Sequence, residues 1–121
     1  TELSGGERQQ VQIARVLVQK SKIILLDEPT NHLDYGNQLQ ILQLVNDLAK
    51  SGHTVIVTTH MPDHAILLGG KIGIMWSQGS FRTGKTESLD EKLLRKLYNT
   101  DLHLVYIKDL GRKVCISGGI R

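Results

Sequence analysis

The segment from Ile23 to Asp34 has the sequence IILLDEPTNHLD, and it decides the fold class of this chain. Its first four residues are large and apolar without alternation, which is typical of a strand buried on both faces in a parallel sheet. Ligands of such sheets bind at the carboxyl ends of the strands. Asp27 and Glu28 lie at that end, and Pro29 stops the strand because it has no N–H group. We therefore expect an α/β fold with a functional site here.

The two carboxylates are adjacent, and adjacent residues of a strand point to opposite sides. This arrangement predicts different roles for them. One can hold a metal ion, directly or through water, while the other can face an attacking water. A buried strand that merely ends in an acidic turn would also account for both residues, so other motifs must decide.

Two further motifs flank this strand. Leu3–Gln9 has the sequence LSGGERQ, and His60 ends a second apolar strand predicted over Thr54–Thr59. With these residues the chain resembles the ATP-binding-cassette (ABC) ATPases. Leu3–Gln9 resembles their signature motif, Ile23–Glu28 their Walker B strand with its catalytic glutamate, Thr30–Asp34 their D-loop, and His60 their switch histidine. The four motifs stand in the family's order and spacing, which makes the match specific, although the resemblance weakens after about residue 70.

Composition limits the alternatives. The chain has 121 residues, 40% of them apolar, which is enough for one small domain with a core. Cys115 is the single cysteine, so no intrachain disulfide can form, which fits a reducing compartment. The net charge of +3 is spread along the chain, so we expect no nucleic-acid partner. Since no apolar run approaches about 20 residues and no signal peptide is recognisable, we expect a protein that is soluble or peripheral through a partner.

The resemblance implies the C-terminal half of a P-loop NTPase (ABC ATPase) domain across residues 1–121. We expect a mainly parallel sheet core with helices, followed by C-terminal hairpins, with residues 71–121 as a smaller hairpin and helix region. The phosphate-binding P-loop of the family has no counterpart before the signature. We therefore expect a truncated half that is inactive alone.

Local signals predict the individual elements. Ser4 and Glu7 have the spacing of a capping box for a helix that runs to about residue 20. A second helix is predicted over Tyr35–Ser51, with Asp34 near its start and Gly52 at its end. Pro62 fits the first position of a short helix over residues 63–68.

The remaining elements are a hairpin, a helix and a second hairpin. Strands over residues 71–76 and 80–83 form the first hairpin, and Ser88 is predicted to cap the helix. Leu102–Ile107 and Arg112–Ile116 form the second. His64 and His32 are expected on the surface.

One stretch matches the P-loop motif, which the family carries before its signature. Gly79–Thr86, GSFRTGKT, matches the P-loop pattern G-x4-G-K-[ST] letter for letter. A P-loop opens directly into a helix at its lysine, whereas the predicted helix here starts only at Ser88. We therefore favour a hairpin over a phosphate-binding loop.

The resemblance also implies roles for particular residues. Asp27 would hold Mg²⁺ through water, Glu28 would orient or deprotonate the attacking water, and His60 would hold the γ-phosphate of ATP. A helix N-terminus with glycines suits phosphate, so the signature would contact the ATP of a second, head-to-tail ABC ATPase subunit. The residues expected to bind nucleotide are Ser4, Gly5, Gly6, Glu7, Gln9 and Asp34.

The sequences of Thr30–Gln38 and of Thr58–Ala65 look most like those of ATPases from importers of iron-siderophore, haem or cobalamin type. Such an ATPase would sit on the inner face of the cell membrane and drive a transmembrane permease. Two alternatives remain open: soluble ABC proteins that act on ribosomes, and chromosome or repair ATPases whose halves are split by a coiled coil.

Overall fold

A computed structural model describes residues 5–120, which divide between His60 and Met61 into two compact units that are described separately. The predicted cap Ser4 lies outside the described residues. The first unit contains α1 (Gly5–Val18), β1 (Ile23–Asp27), α2 (Tyr35–Lys50) and β2 (Thr54–Thr58). The second contains α3 (Pro62–Leu68), β3 (Lys71–Met75), β4 (Phe81–Lys85), a 3-10 turn (Thr86–Ser88), α4 (Glu91–Tyr98), β5 (Leu102–Ile107) and β6 (Arg112–Ser117). None of the helices within residues 5–120 is long and apolar enough to cross a membrane.

The first unit is a β–α–β arrangement in which β1 and β2 pair in parallel. The register sets Asp27 beside Thr58, so both strands end at the same level. The helix α2 joins the strands and packs on β2 and on α1. Its buried residues recur at helical spacing, and the helix itself confirms the prediction made for this segment. Those residues are Ile41, Leu42, Val45 and Leu48.

The burial of β1 differs from the expectation. Ile24 and Leu26 are buried, but Ile23 and Leu25 are 61% and 71% exposed, and Ile56 of β2 is 53% exposed. The prediction of a strand buried on both faces is therefore wrong for residues 5–120. The reason is geometric, because successive strand residues face opposite sides and only one side of this strand pair is covered.

Both ends of α2 are formed as predicted. The carboxylate of Asp34 caps the helix by accepting a hydrogen bond from the backbone N–H of Asn37 at 2.8 Å. Gly52, which follows the C-cap, has a φ of +100°, a conformation that glycine adopts without the strain of a side chain. Asp34 and Gly52 therefore mark the two ends of the helix.

The second unit begins with α3, whose first residue is Pro62 as predicted. His64 of this helix is only 4% exposed, so the expectation of a surface histidine is wrong. The helix packs against β6, and His64 lies on the covered part of α3. His32, by contrast, is exposed as expected.

The P-loop look-alike folds as an antiparallel strand. Phe81–Lys85 is β4, which pairs with β3 so that Gly84 lies beside Ile72 and Lys85 beside Lys71. Gly79 belongs to the turn between the strands. A paired strand does not turn consecutive N–H groups toward one phosphate, so the hairpin prediction is confirmed and the stretch lacks the form of a phosphate-binding loop.

The start of α4 differs from its prediction. The cap is Asp90, whose carboxylate accepts from the N–H of Leu93 at 2.7 Å, and the helix begins at Glu91. Ser88 instead closes the preceding 3-10 turn, where its hydroxyl donates to the carbonyl of Lys85 at 2.6 Å. Leu89, which lies between Ser88 and Asp90, is buried in the hydrophobic core of this unit.

The strands β5 and β6 form the predicted antiparallel hairpin, in which Leu104 lies opposite Cys115. The N–H groups of this residue pair point away from the partner strand and meet carboxylates. Leu104 N donates to Glu91 Oε2 at 3.1 Å, and Cys115 N donates to Asp63 Oδ1 at 3.1 Å. The hairpin is thereby tied to α4 on one side and to α3 on the other.

Candidate active site

The carboxyl ends of β1 and β2 meet through the side chain of Thr58. Its hydroxyl donates a short hydrogen bond to Asp27 Oδ1. The same hydroxyl accepts from the N–H of Glu28 at 2.9 Å, and the Thr58 carbonyl accepts from that N–H at 3.1 Å. One residue of β2 therefore fixes both acids that end β1.

Glu28 has an unusual backbone for a residue with a long side chain. Its φ is +44°, in the left-handed region where a non-glycine residue is uncommon. Such a conformation costs on the order of 1–3 kcal/mol and persists where surrounding contacts hold it. Here the two acceptors of Thr58 hold it, and the chain turns sharply so that the Glu28 side chain leaves the line of the strand.

The side chain of Glu28 is half-exposed and is held by two neighbours. Its Oε1 lies 3.0 Å from Nδ1 of His60, and its Oε2 accepts from Nδ2 of Asn31 at 3.4 Å. We assign the Nδ1–H tautomer to His60, since only a protonated Nδ1 can donate to a carboxylate. In this tautomer Nε2 is an acceptor, so the largely exposed imidazole can donate to a phosphate oxygen only with a hydrogen on Nε2 as well.

The loop after Glu28 is anchored by burial. Pro29 and Thr30 are buried, while the N–H of Asn31 donates back to the Glu28 carbonyl at 3.0 Å. The acidic pair therefore projects from a fixed turn.

The residues at this strand end fit a magnesium ion bound with few protein ligands. Asp27 is an exposed carboxylate, and Mg²⁺ usually keeps several waters and uses one or two carboxylates. No group of three or more His, Cys, Asp or Glu residues that could hold a metal occurs within residues 5–120.

A second group of predicted site residues gathers at the start of α2. A Cβ atom added at Gly5 would lie 3.0 Å from Cδ2 of Leu33, and one added at Gly6 would lie 2.5 Å from Oδ1 of Asn37. The side chain of Asn37 in turn donates to Asp34 Oδ2 at 3.1 Å. The first turn of α1 is thus packed on the segment that contains Asp34.

The structure brings the predicted site residues together in two groups: Asp27, Glu28 and His60 at the strand ends, and Gly5, Gly6 and Asp34 at the start of α2. Glu7 and Gln9 lie on α1, exposed and half-buried respectively.

Sequence reasoning missed three residues: Thr58, Asn31 and Asn37. Thr58 carried a usable signal, since it lies near the end of the strand that was predicted over Thr54–Thr59. The two asparagines carried none, because their roles depend on the turn at Glu28 and on the packing of α1.

Comparisons with known proteins identify the family of this chain. The family model described as ABC transporter matches residues 1–31. The molybdate import ATP-binding protein MolC of Haemophilus influenzae is 42% identical over 90 residues, which are 74% of this chain and 35% of that protein. The iron(3+)-hydroxamate import ATP-binding protein FhuC of Bacillus subtilis is 34% identical over 121 residues, covering 95% of this chain and 44% of that protein.

A solved structure of an ABC transporter has the same fold. An inward-facing ABC transporter described as of metal-chelate type superimposes with a TM-score of 0.88 at 34% identity, covering 97% of this chain and 48% of that chain. The chain spans less than half the length of each of these three proteins. Both relatives are ATP-binding proteins by name, so nucleotide binding is the property that the family implies. The chain therefore belongs to the ABC transporter family of ATP-binding proteins, and its fold is that of part of their ATPase domain.

Proposed function

We propose that the intact protein is the ATP-binding and hydrolysing subunit of an ABC transporter that imports an iron chelate, haem or cobalamin. The observation that carries the enzymatic part is the meeting of Asp27, Glu28 and His60 at the carboxyl ends of two parallel strands. A carboxylate in a strained left-handed turn, paired with an exposed imidazole, is costly to maintain and is more typical of a reactive site than of a structural one.

The chemistry of phosphoryl transfer explains why these residue types are suitable. The reaction needs positioning and neutralisation of charge more than covalent participation of the protein. Asp27 would hold Mg²⁺ through water, and the ion would neutralise charge on the β- and γ-phosphates. Glu28 would orient or deprotonate the attacking water. His60, held by Glu28 through Nδ1–H, would donate to the γ-phosphate from Nε2 when that nitrogen also carries a hydrogen.

The signature helix would complete the site of a second subunit. Free N–H groups at a helix N-terminus bind phosphate, so Ser4, Gly5 and Gly6 would contact the γ-phosphate held by the partner, with Glu7 and Gln9 on the same helix supporting them. Asp34 would couple the two ATP sites across the dimer. Closure of the head-to-tail dimer would then drive a transmembrane permease from the cytoplasmic face of the membrane.

The importer assignment is supported by the relatives. Their names identify import of molybdate and of an iron(3+)-hydroxamate, and the solved structure is described as a metal-chelate transporter. The sequences of Thr30–Gln38 and Thr58–Ala65 favour an iron chelate as the cargo. Copurification of the intact protein with its permease, followed by uptake assays with labelled iron-hydroxamate and molybdate, separates these cargoes; copurification with ribosomes or DNA instead would overturn the transporter assignment.

The substitution Glu28→Gln tests the hydrolytic site in the intact protein. The amide keeps the shape of the side chain but cannot accept a proton, so hydrolysis should fall by roughly 10²–10⁴-fold while ATP binding persists. ATP should also trap the closed dimer. Glu87→Gln, which changes an exposed glutamate of the 3-10 turn, is the matched control and should hydrolyse ATP at the wild-type rate. Wild-type turnover in Glu28→Gln would refute the assignment of the base.

A further inference from the structure

The second glycine of the signature has a close neighbour within its own chain. Gly6 is buried, and a Cβ atom added there would lie 2.5 Å from Oδ1, 2.6 Å from Cγ and 3.0 Å from Cβ of Asn37. Contacts below 3.0 Å are not tolerated between packed atoms, so a side chain at position 6 would displace the carboxamide. Any side chain at position 6 therefore forces Asn37 to move.

The carboxamide of Asn37 has little freedom to move aside. Its Nδ2 donates to Asp34 Oδ2 at 3.1 Å, while the backbone N–H of Asn37 donates to Asp34 Oδ1 at 2.8 Å. Both oxygens of the Asp34 carboxylate are thus engaged by the same residue. The half-buried Asn37 side chain stands between that carboxylate and the first turn of α1.

Other glycines near this point lack such a contact. A Cβ atom at Gly36, one residue before Asn37, would meet only Asp34 Oδ1 at 3.7 Å, an ordinary van der Waals distance. At Gly5 the closest atom is Cδ2 of Leu33 at 3.0 Å, which is the end of a flexible side chain. Of these three glycines, only Gly6 would place its Cβ atom less than 3.0 Å from a carboxamide, whose Nδ2 is hydrogen-bonded to Asp34.

We propose that Asn37 is a positioning residue that joins the first turn of α1 to Asp34, and that position 6 is a glycine because the Asn37 carboxamide occupies the space of a side chain. The functional part rests on the function proposed above, in which the first turn of α1 contacts the partner's ATP and Asp34 couples the two ATP sites. Joined in this way, the two segments move as one body. A shift of α1 on meeting the partner's phosphate is then passed to Asp34.

A double-mutant cycle in the intact protein tests this contact. Gly6→Ala forces the carboxamide away, and kcat for ATP hydrolysis should fall about tenfold or more, with the Kd for ATP of the isolated subunit changed less than about twofold. Asn37→Ala keeps the backbone cap of α2 and should lower kcat about threefold at unchanged Kd, because only the side-chain link is lost. The double variant should recover most of the kcat lost in Gly6→Ala, since Asn37→Ala removes the Oδ1 and Cγ atoms at 2.5 Å and 2.6 Å and leaves only Cβ at 3.0 Å. Gly36→Ala is the control and should behave as wild type.

Two results would overturn the proposal: wild-type kcat in Gly6→Ala, or a double variant whose losses multiply. Thermal unfolding of all four variants is measured alongside, and the double variant should melt above Gly6→Ala. If Gly6→Ala fails to fold, recovery of folded protein in the double variant supports the contact and its continued failure refutes it. An intact wild-type protein that hydrolyses no ATP would refute the proposed function, whereas the comparison of melting temperatures would still decide the contact.

Discussion

Thr58→Val is the substitution whose effect can be worked out most directly from the structure. Valine keeps the shape of threonine but removes the hydroxyl, which donates to Asp27 Oδ1 and accepts from the Glu28 N–H. The Thr58 carbonyl remains as an acceptor for that N–H at 3.1 Å. A hydrogen bond to a charged group is worth roughly 1.5–3 kcal/mol, and exposure reduces this, so the free energy of unfolding should fall by about 1 kcal/mol.

The effect on catalysis should be larger than this loss of stability suggests. Without the hydroxyl, the left-handed turn at Glu28 loses one of the two contacts that hold it, and a shift of the carboxylate disturbs a geometry on which the attack of water depends. We expect kcat of the intact ATPase to fall about tenfold, the equivalent of about 1.4 kcal/mol. The measurements are steady-state ATP hydrolysis and urea unfolding of the same preparations.

Two controls isolate the hydroxyl. Thr58→Ser keeps it and should retain most of the activity. Thr54→Val makes the same change at the other end of β2, at a position that is also exposed, and should leave kcat unchanged. If Thr58→Val and Thr54→Val hydrolyse ATP at the same rate, the argument that Thr58 holds the site is refuted.

Three further predictions concern other parts of the chain. Gly5→Asp places a negative charge at the first turn of α1, so the intact protein should still bind ATP as a monomer but lose hydrolysis and dimerisation; equal loss of monomer binding would contradict the trans role. The 121 residues alone should show no micromolar Mg-ATP binding in calorimetry, and Lys85→Ala should change nothing, because Lys85 lies on a strand. Burial, and secondarily the charge of Asp63, raises the pKa of the Cys115 thiol. Alkylation of Cys115 by iodoacetamide at about pH 8 should therefore be slower than that of free cysteine, and it should be faster in Asp63→Asn. Equal rates would contradict this. The contribution of the thiol to the free energy of unfolding should be complete below its ordinary pKa of about 8.5 and be lost as pH rises through the raised pKa.

The elements that could be predicted from sequence are those with local causes. The caps at Asp34 and Gly52, the proline that opens α3, and the turns of both hairpins depend on neighbouring residues, so composition and spacing were sufficient to locate them. The meeting of Glu28 and His60 was predictable in outline, because parallel strands end at the same level.

The remaining features depend on contacts between distant residues. The exposure of Leu25 follows from which face of the sheet is covered, and the burial of His64 follows from the packing of α3, neither of which a local pattern contains. Ser88 and Asp90 are both good caps, and only the inward position of Leu89 decides between them. The role of Asn37 depends on its proximity to Gly6, which lies 31 positions away in the sequence.

The ties from Glu91 to Leu104 N and from Asp63 to Cys115 N also bear on aggregation. A two-stranded hairpin has two open edges, and each offers N–H groups that can template the addition of another chain. At the level of Leu104 and Cys115 both edges are already closed by carboxylates of the same unit, and Arg95 and Arg112 balance their charge at 3.2 Å and 3.5 Å. On either side, an incoming strand would have to break a hydrogen bond between a backbone N–H group and a carboxylate. The hairpin β5–β6 therefore carries its own protection against edge-to-edge growth, built from the two helices that flank it.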